Sequence, residues 1–239
     1  MALRSLYVEP EERPDEVDTG ALEFHDVFKI YRSGPAETVA LRGLDLRVEH
    51  RGQAAVLGPS GSGKSTLLAL AAGLDQPSAG EVRVSGLSLG RLDEQELARY
   101  RAEQVAIVFQ SGNLWPGLTA LENVATALRL AGRAEPEEEA AAALESFGLA
   151  NRGHHRPGAL SGGEQQRAAI AGAAARRAPL VLADEPTGEL DEANERLVLE
   201  ALERLRVDRG STVVTVTHSE RVAAAADRVV EIRDGRVTR

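Results

Sequence analysis

Two stretches near the start of the chain carry an alternating pattern. In Leu41 to Val48, the apolar Leu44, Leu46 and Val48 are separated by Asp45 and Arg47, the spacing of a half-buried strand. Leu22 to Tyr31 precedes it, and together they predict an antiparallel β layer ahead of the main sheet. From Ala54 the pattern becomes α/β: the apolar run AAVLG, a glycine loop, then a helix-like Lys64 to Leu74. Gly80 to Gly86 (GEVRVSG) alternates as an edge strand would, and Gln104 to Gln110 (QVAIVFQ) reads as a buried strand. Thr119 to Leu130 and Pro136 to Phe147 predict helices, the second opening on a proline suited to a first helical position. Leu180 to Ala183 and Thr212 to Thr217 are apolar or β-branched runs of buried parallel type. No internal repeat or heptad appears. One α/β domain over 21–239, with a helical insertion at about 111–158, accounts for the pattern, and the acidic, proline-bearing Glu9 to Gly20 makes 1–20 a predicted flexible tail.

Composition narrows the picture. Across 239 residues, 43% are apolar but only 3% aromatic, so Ala, Leu and Val must fill the core. The absence of cysteine excludes disulfides, cysteine-ligated zinc and iron–sulfur clusters. The N-terminal residues turn acidic at once and do not resemble a signal peptide. The longest apolar run, near Leu67 to Leu74, falls far short of the roughly 20 residues of a spanning helix, so any membrane role must come through a partner. A net charge of −9 argues against nucleic acid as the main ligand. Among 28 basic residues only Lys29 and Lys64 are lysine, and Lys64 stands inside the glycine loop.

That loop, GPSGSGKST from Gly58 to Thr66, satisfies the pattern G-x-x-x-x-G-K-[ST] after a predicted strand and before a predicted helix. Gly58, Gly61 and Gly63 let the backbone curl so that its N–H groups, with those of Ser60 and Ser62, meet a phosphate at a helix N-terminus. Lys64 reaches the β- and γ-phosphates, Ser65 offers a hydroxyl to Mg²⁺, and Thr66 completes the turn. The chain is expected to bind ATP or GTP.

Leu180 to Glu185 (LVLADE) ends an apolar strand in two carboxylates, at the strand edge where open α/β sheets bind ligands. Asp184 is placed to hold Mg²⁺, and Glu185 to polarise the attacking water. Further on, Ser161 followed by Glu164 forms a capping box, so a helix should start there with Gly162 and Gly163 leaving its positive end bare for an anion.

The segment LSGGEQQR, Leu160 to Arg167, resembles the signature of the ATP-binding-cassette (ABC) family, and other family motifs stand in order around it from about Ala21 to Arg239. The resemblance implies an α/β P-loop NTPase (RecA-like) core with an N-terminal antiparallel β layer and an inserted α-helical subdomain. It implies that Tyr31 stacks on adenine, that Gln110 contacts the metal and links the site to the helical subdomain, and that His218 senses the γ-phosphate beside Glu185. It also implies two subunits packed head to tail, each ATP held between Lys64 of one and Ser161, Gly162 and Gly163 of the other. GELD, Gly188 to Asp191, resembles the loop that meets the opposite subunit.

Val108 to Val124 (VFQSGNLWPGLTALENV) is most similar to the macrolide-export, lipoprotein-release and cell-division branch. Members of that branch pair beneath separate membrane permeases, which implies a bacterial homodimer at the cytoplasmic face of the membrane, with Trp115 near the surface that receives the permease. The competing expectation is a soluble cassette acting on the ribosome or nucleic acid; the single-cassette length and acidic charge weigh against it. Three positions depart from the family pattern: Gly172 in place of Arg, Glu189 in place of Asn, and Ser219 in place of Asp.

Overall fold

The computed structural model describes residues 19–34 and 36–238; the expected tail, 1–20, lies outside them except for Thr19 and Gly20. The chain opens with β1 (Leu22–Ser33) and β2 (Ala36–Val48), an antiparallel pair whose Leu22, Phe24, Val27, Leu41, Leu44 and Leu46 point into the core. β4 (Ala79–Val84) and β5 (Leu87–Ser88) complete a four-stranded antiparallel sheet in the order β2-β1-β4-β5. The expectation that Gly80 to Gly86 is an edge strand fails: β1 pairs on one side of β4 and β5 on the other. Its alternation reports one buried face, carrying Val82 and Val84, and says nothing of position in the sheet.

The second sheet is built on β3 (Gln53–Leu57), β6 (Val105–Val108), β7 (Leu180–Asp184), β8 (Thr212–Thr217) and β9 (Arg228–Arg233), all parallel, with β10 (Arg236–Val237) antiparallel at one edge. The order is β10-β9-β3-β8-β7-β6. All six residues of β8 are buried, as expected of a strand covered on both faces. One face packs on the antiparallel sheet and on α1 (Lys64–Ala71) through Leu67, Leu70, Val56, Leu182 and Val214. The other face packs under α3 (Ala120–Leu130), α4 (Pro136–Ser146), α5 (Gly162–Arg176) and α6 (Glu192–Arg209) through Val181, Ala183, Ile170, Leu128, Leu144 and Leu202.

α1 is three residues shorter than the predicted Lys64 to Leu74, because Gly73 takes φ 63° and turns the chain out. α2 (Glu94–Glu103) then closes against that end, Tyr100 donating its hydroxyl to the Ala71 carbonyl at 2.5 Å. α7 (Glu220–Ala223) is a single turn after β8, capped by Ser219. α2, α6 and β9 have no counterpart in the patterns singled out from the sequence; α6 in particular mixes its apolar and charged positions, so its buried stripe is narrow.

The loop between β3 and α1 is wedged into both sheets. Gly63 sits at φ 104°, and a Cβ there would fall 2.5 Å from the Ala40 carbonyl of β2, so only glycine fits. From the other side the turn between β9 and β10 grips it: Gly235 donates its N–H to Ser62 O at 3.0 Å and accepts from Arg42 N–H at 2.8 Å.

Candidate nucleotide site

Lys64 begins α1 and is buried, its ammonium donating to the carbonyls of Gly58 at 2.7 Å and Pro59 at 3.1 Å. The Ser62 hydroxyl is buried between Gly58 and Ile232, so it packs the loop onto β9 and does not face an incoming anion. The loop therefore presents a cation at a helix N-terminus free of acidic residues.

Parallel pairing of β7 to β8 brings the expected acidic residues opposite this loop. Asp184 is half-buried at the end of β7; burial pushes its carboxyl above the usual range, and the charge of Glu185 adds to this, while a hydrogen bond from Ser65 and the charge of Lys64 pull the other way. Glu185 leaves the strand at φ 44°, a costly conformation for a non-glycine residue, held by its N–H donating to Val216 O at 3.0 Å. Its carboxylate is gripped by three groups of the β8 end. Thr217 Oγ1 donates to Oε2 at 3.1 Å, His218 N–H donates to the same oxygen at 3.3 Å, and His218 Nδ1 lies 2.9 Å from Oε1. Lys64 Nζ stands 3.9 Å from Oε1. Lys64, Ser65, Asp184, Glu185 and His218 are thus brought to one strand edge.

The remaining expected residues surround it. Gln110 follows β6, and its side-chain amide donates to Glu189 Oε1 at 3.3 Å. Its backbone is fastened to α5: Gln166 Nε2 donates to Phe109 O at 2.8 Å and Gln110 O at 2.6 Å, and Asn113 Nδ2 donates to Gln166 Oε1 at 2.8 Å. Tyr31 lies toward the end of β1, 41% exposed, its hydroxyl donating to Asp75 Oδ2 at 2.9 Å. Ser161 caps α5 as predicted, accepting from Glu164 N–H at 3.2 Å while its own N–H donates to Glu164 Oε2 at 2.8 Å. Ser161 and Gly162 are exposed, whereas Gly163 is pressed so closely on Asn194 that a Cβ would lie 2.3 Å from its Oδ1. Among the described residues no hydrogen bond joins Ser161 to the phosphate loop of its own chain.

Gln166, Asn113, Thr217, Lys29 and Asp75 make contacts that no hydrophobic pattern announces. Only Lys29 carries a signal, as one of two lysines. A groove of about 210 Å³, lined by Leu114, Trp115, Leu118, Val124, Leu130 and Gly172, opens between the post-β6 segment, α3 and α5. No helix among the described residues is long and apolar enough to cross a membrane.

A glycine loop opening a helix, set against a strand-end Asp–Glu pair, defines a P-loop nucleotide-hydrolysing protein. The family described as ABC transporter matches residues 41–188, and the chain belongs to it. It is 45% identical over 218 residues to the lipoprotein-releasing system ATP-binding protein LolD of Geobacter metallireducens, covering 90% of this chain and 97% of that protein. An ABC transporter ATP-binding protein of Thermotoga maritima is 44% identical, covering 90% and 93%. The macrolide export ATP-binding/permease protein MacB of Hyphomonas neptunium is also 44% identical, but the chain spans only 34% of that protein's length. Among solved structures, the dimeric ATP-binding cassette MJ0796 in a post-hydrolysis state bound to ADP and Pi matches at a TM-score of 0.85 and 38% identity, covering 91% of this chain and 97% of that one.

Proposed function

We propose that the chain is the ATP-hydrolysing subunit of a transporter, pairing head to tail with a second copy around two ATP molecules and driving a separate permease from the cytoplasmic face of a bacterial membrane. The observation that carries this reading is a division of labour within one chain. Lys64, Asp184, Glu185 and His218 share one edge, while the capped end of α5 at Ser161 is exposed and makes no hydrogen bond to its own phosphate loop. An exposed helix N-terminus of this kind suits an anion brought by another copy.

In this reading Lys64 and the loop N–H groups bind the β- and γ-phosphates. The Ser65 hydroxyl and the Asp184 carboxylate are hard oxygen donors that fit Mg²⁺, with Gln110 as a third once it leaves Glu189. The ion would neutralise phosphate charge when bound. Glu185 takes the proton of the attacking water, and Thr217 and His218 fix its carboxylate while it does so. The subdomain of residues 111–158, carrying α3 and α4, delivers the permease contact through the Trp115 groove.

The test uses Glu185→Gln and Lys64→Ala. Glu185→Gln should keep ATP affinity, lose about 10²–10⁴-fold in turnover, and elute as a dimer with Mg-ATP. Tagged Glu185→Gln from native membranes should carry a stoichiometric permease. Wild-type turnover in this variant would refute the assignment of the base. Recovery of ribosomal or DNA-bound proteins instead of a permease would refute the transport role and leave the ATPase chemistry standing. Lys64→Ala should weaken nucleotide binding itself.

A further inference from the structure

The chain uses arginine almost everywhere a cation is needed, and its two lysines are Lys64 in the phosphate loop and Lys29 two residues before Tyr31. Being two apart on β1, Lys29 and Tyr31 share a face of the strand. The Lys29 ammonium stands 4.8 Å from the centroid of the Tyr31 ring, within cation–π range, and its side chain is only 12% exposed. It also donates to Asp75 Oδ1 at 2.6 Å and to the Gln76 carbonyl at 2.8 Å. The other oxygen of Asp75 accepts from the Tyr31 hydroxyl at 2.9 Å. One carboxylate therefore ties down both the cation that covers the ring and the far end of the ring itself.

Asp75 lies four residues beyond the end of α1, the helix whose first residue is Lys64. The turn that carries it is sewn to β1 at two further points: Ser78 N–H donates to Phe28 O at 2.7 Å and Ile30 N–H donates to Ser78 Oγ at 3.0 Å. At its other end the same helix is fixed by Gly63 against Ala40, in the strand paired with β1. The ring and the phosphate loop are thus held at a set separation by the two ends of one short helix. Burial pushes the Asp75 carboxyl up, but hydrogen bonds from Lys29, from the Gln76 N–H and from Tyr31 outweigh it and hold the group below its usual range, so it is ionised at neutral pH.

We propose that Lys29 and Asp75 are positioning residues that fix the Tyr31 ring for the nucleobase, so that affinity for the base, but not for the phosphates, depends on them. This rests on the reading that Tyr31 stacks on adenine. The experiment compares dissociation constants for Mg-ATP and for inorganic tripolyphosphate, which has no base, in the full chain and in Lys29→Met, Asp75→Asn, Tyr31→Phe and Tyr31→Ala, with kcat and KM for ATP alongside. Lys29→Met and Asp75→Asn should weaken ATP about fivefold, the worth of one cation–π or ring-stacking contact, with tripolyphosphate affinity and kcat unchanged. Tyr31→Phe, which keeps the ring but frees its end, should fall between these and the wild type. If Tyr31→Ala weakens ATP while Lys29→Met and Asp75→Asn do not, the positioning role is overturned and the stacking reading survives. If Tyr31→Ala leaves ATP affinity intact, the stacking reading itself fails and the proposal with it. Equal losses for ATP and tripolyphosphate in Lys29→Met and Asp75→Asn would mean that the pair acts on the phosphate loop or on folding, which also overturns it.

Discussion

Gln110 and Glu189 meet at 3.3 Å, amide nitrogen to carboxylate oxygen, joining the segment after β6 to the loop after β7 within one chain. Glu189 is one of the three positions read from the sequence as departing from the family pattern, so this contact belongs to a departure. It engages the amide nitrogen of Gln110 with Glu189. An exposed hydrogen bond to a charged group contributes at most about 0.5–1 kcal/mol, or roughly two- to fivefold in an equilibrium. Glu189→Asn should therefore lower the Mg²⁺ concentration at half-maximal ATPase by about that factor. A Mg²⁺ titration at saturating ATP reads the change, and no shift would mean that Gln110 never reaches the ion.

Asp184 supplies a pH dependence. Its carboxyl is raised by burial first and by Glu185 second, so it takes up a proton at a higher pH than the same residue in the unfolded chain. Acidification through that range stabilises the nucleotide-free fold slightly, because the native state binds the extra proton. Mg-ATP needs the ionised form, so its stabilising effect should shrink in the same range. Melting temperatures with and without Mg-ATP across acidic pH should converge above the pH expected for an ordinary aspartate. Asp184→Asn should abolish that step.

Gly172 lies within α5, where a Cβ would meet Val124 Cγ2 at 3.8 Å, an ordinary contact. Room exists for a methyl group, and glycine inside a helix costs roughly 0.5–1 kcal/mol relative to alanine. Gly172→Ala should raise the melting temperature by about 1–4 °C without changing ATP affinity. A fall would show that the groove, which Gly172 lines, needs the empty space for its own packing.

Trp115 is 65% exposed, so little of the core depends on its ring, although its backbone N–H donates to Asn123 Oδ1 at 2.7 Å. Trp115→Ala should change stability by less than about 0.5 kcal/mol. Permease association and permease-stimulated turnover should both drop, since exposed indoles at a groove rim make strong anchors. Unchanged stimulation would remove Trp115 from the docking surface.

Motifs that depend on near neighbours in the chain are legible from sequence, and contacts across the fold are not. The capping box of Ser161 and Glu164 spans three residues and stands as read. Gly63 is forced by a clash with Ala40, and its need for glycine shows in the loop pattern even though the clash does not. Only the family resemblance links Glu185 to His218 in the sequence; their contact at 2.9 Å arises because β7 and β8 are parallel neighbours, which periodicity alone leaves open. Asp75 is invisible in the same way. An acidic residue after a helix is usually only solvated, and its two side-chain partners lie 46 and 44 positions earlier.

The grip of Gly235 on Ser62 has a consequence for synthesis. The phosphate loop leaves the ribosome early, yet its flanking strand β3 has β8 and β9 as neighbours, and the turn that braces it comes later still. At about 5–20 residues per second, the on the order of 170 residues between them take roughly 10–30 s to appear. Through that interval the loop lacks the hydrogen bond from Gly235 to Ser62 that braces it in the folded chain. A fragment ending before β9 would carry Lys64, Asp184, Glu185 and His218 yet lack both the strand beside β3 and the turn that braces the loop.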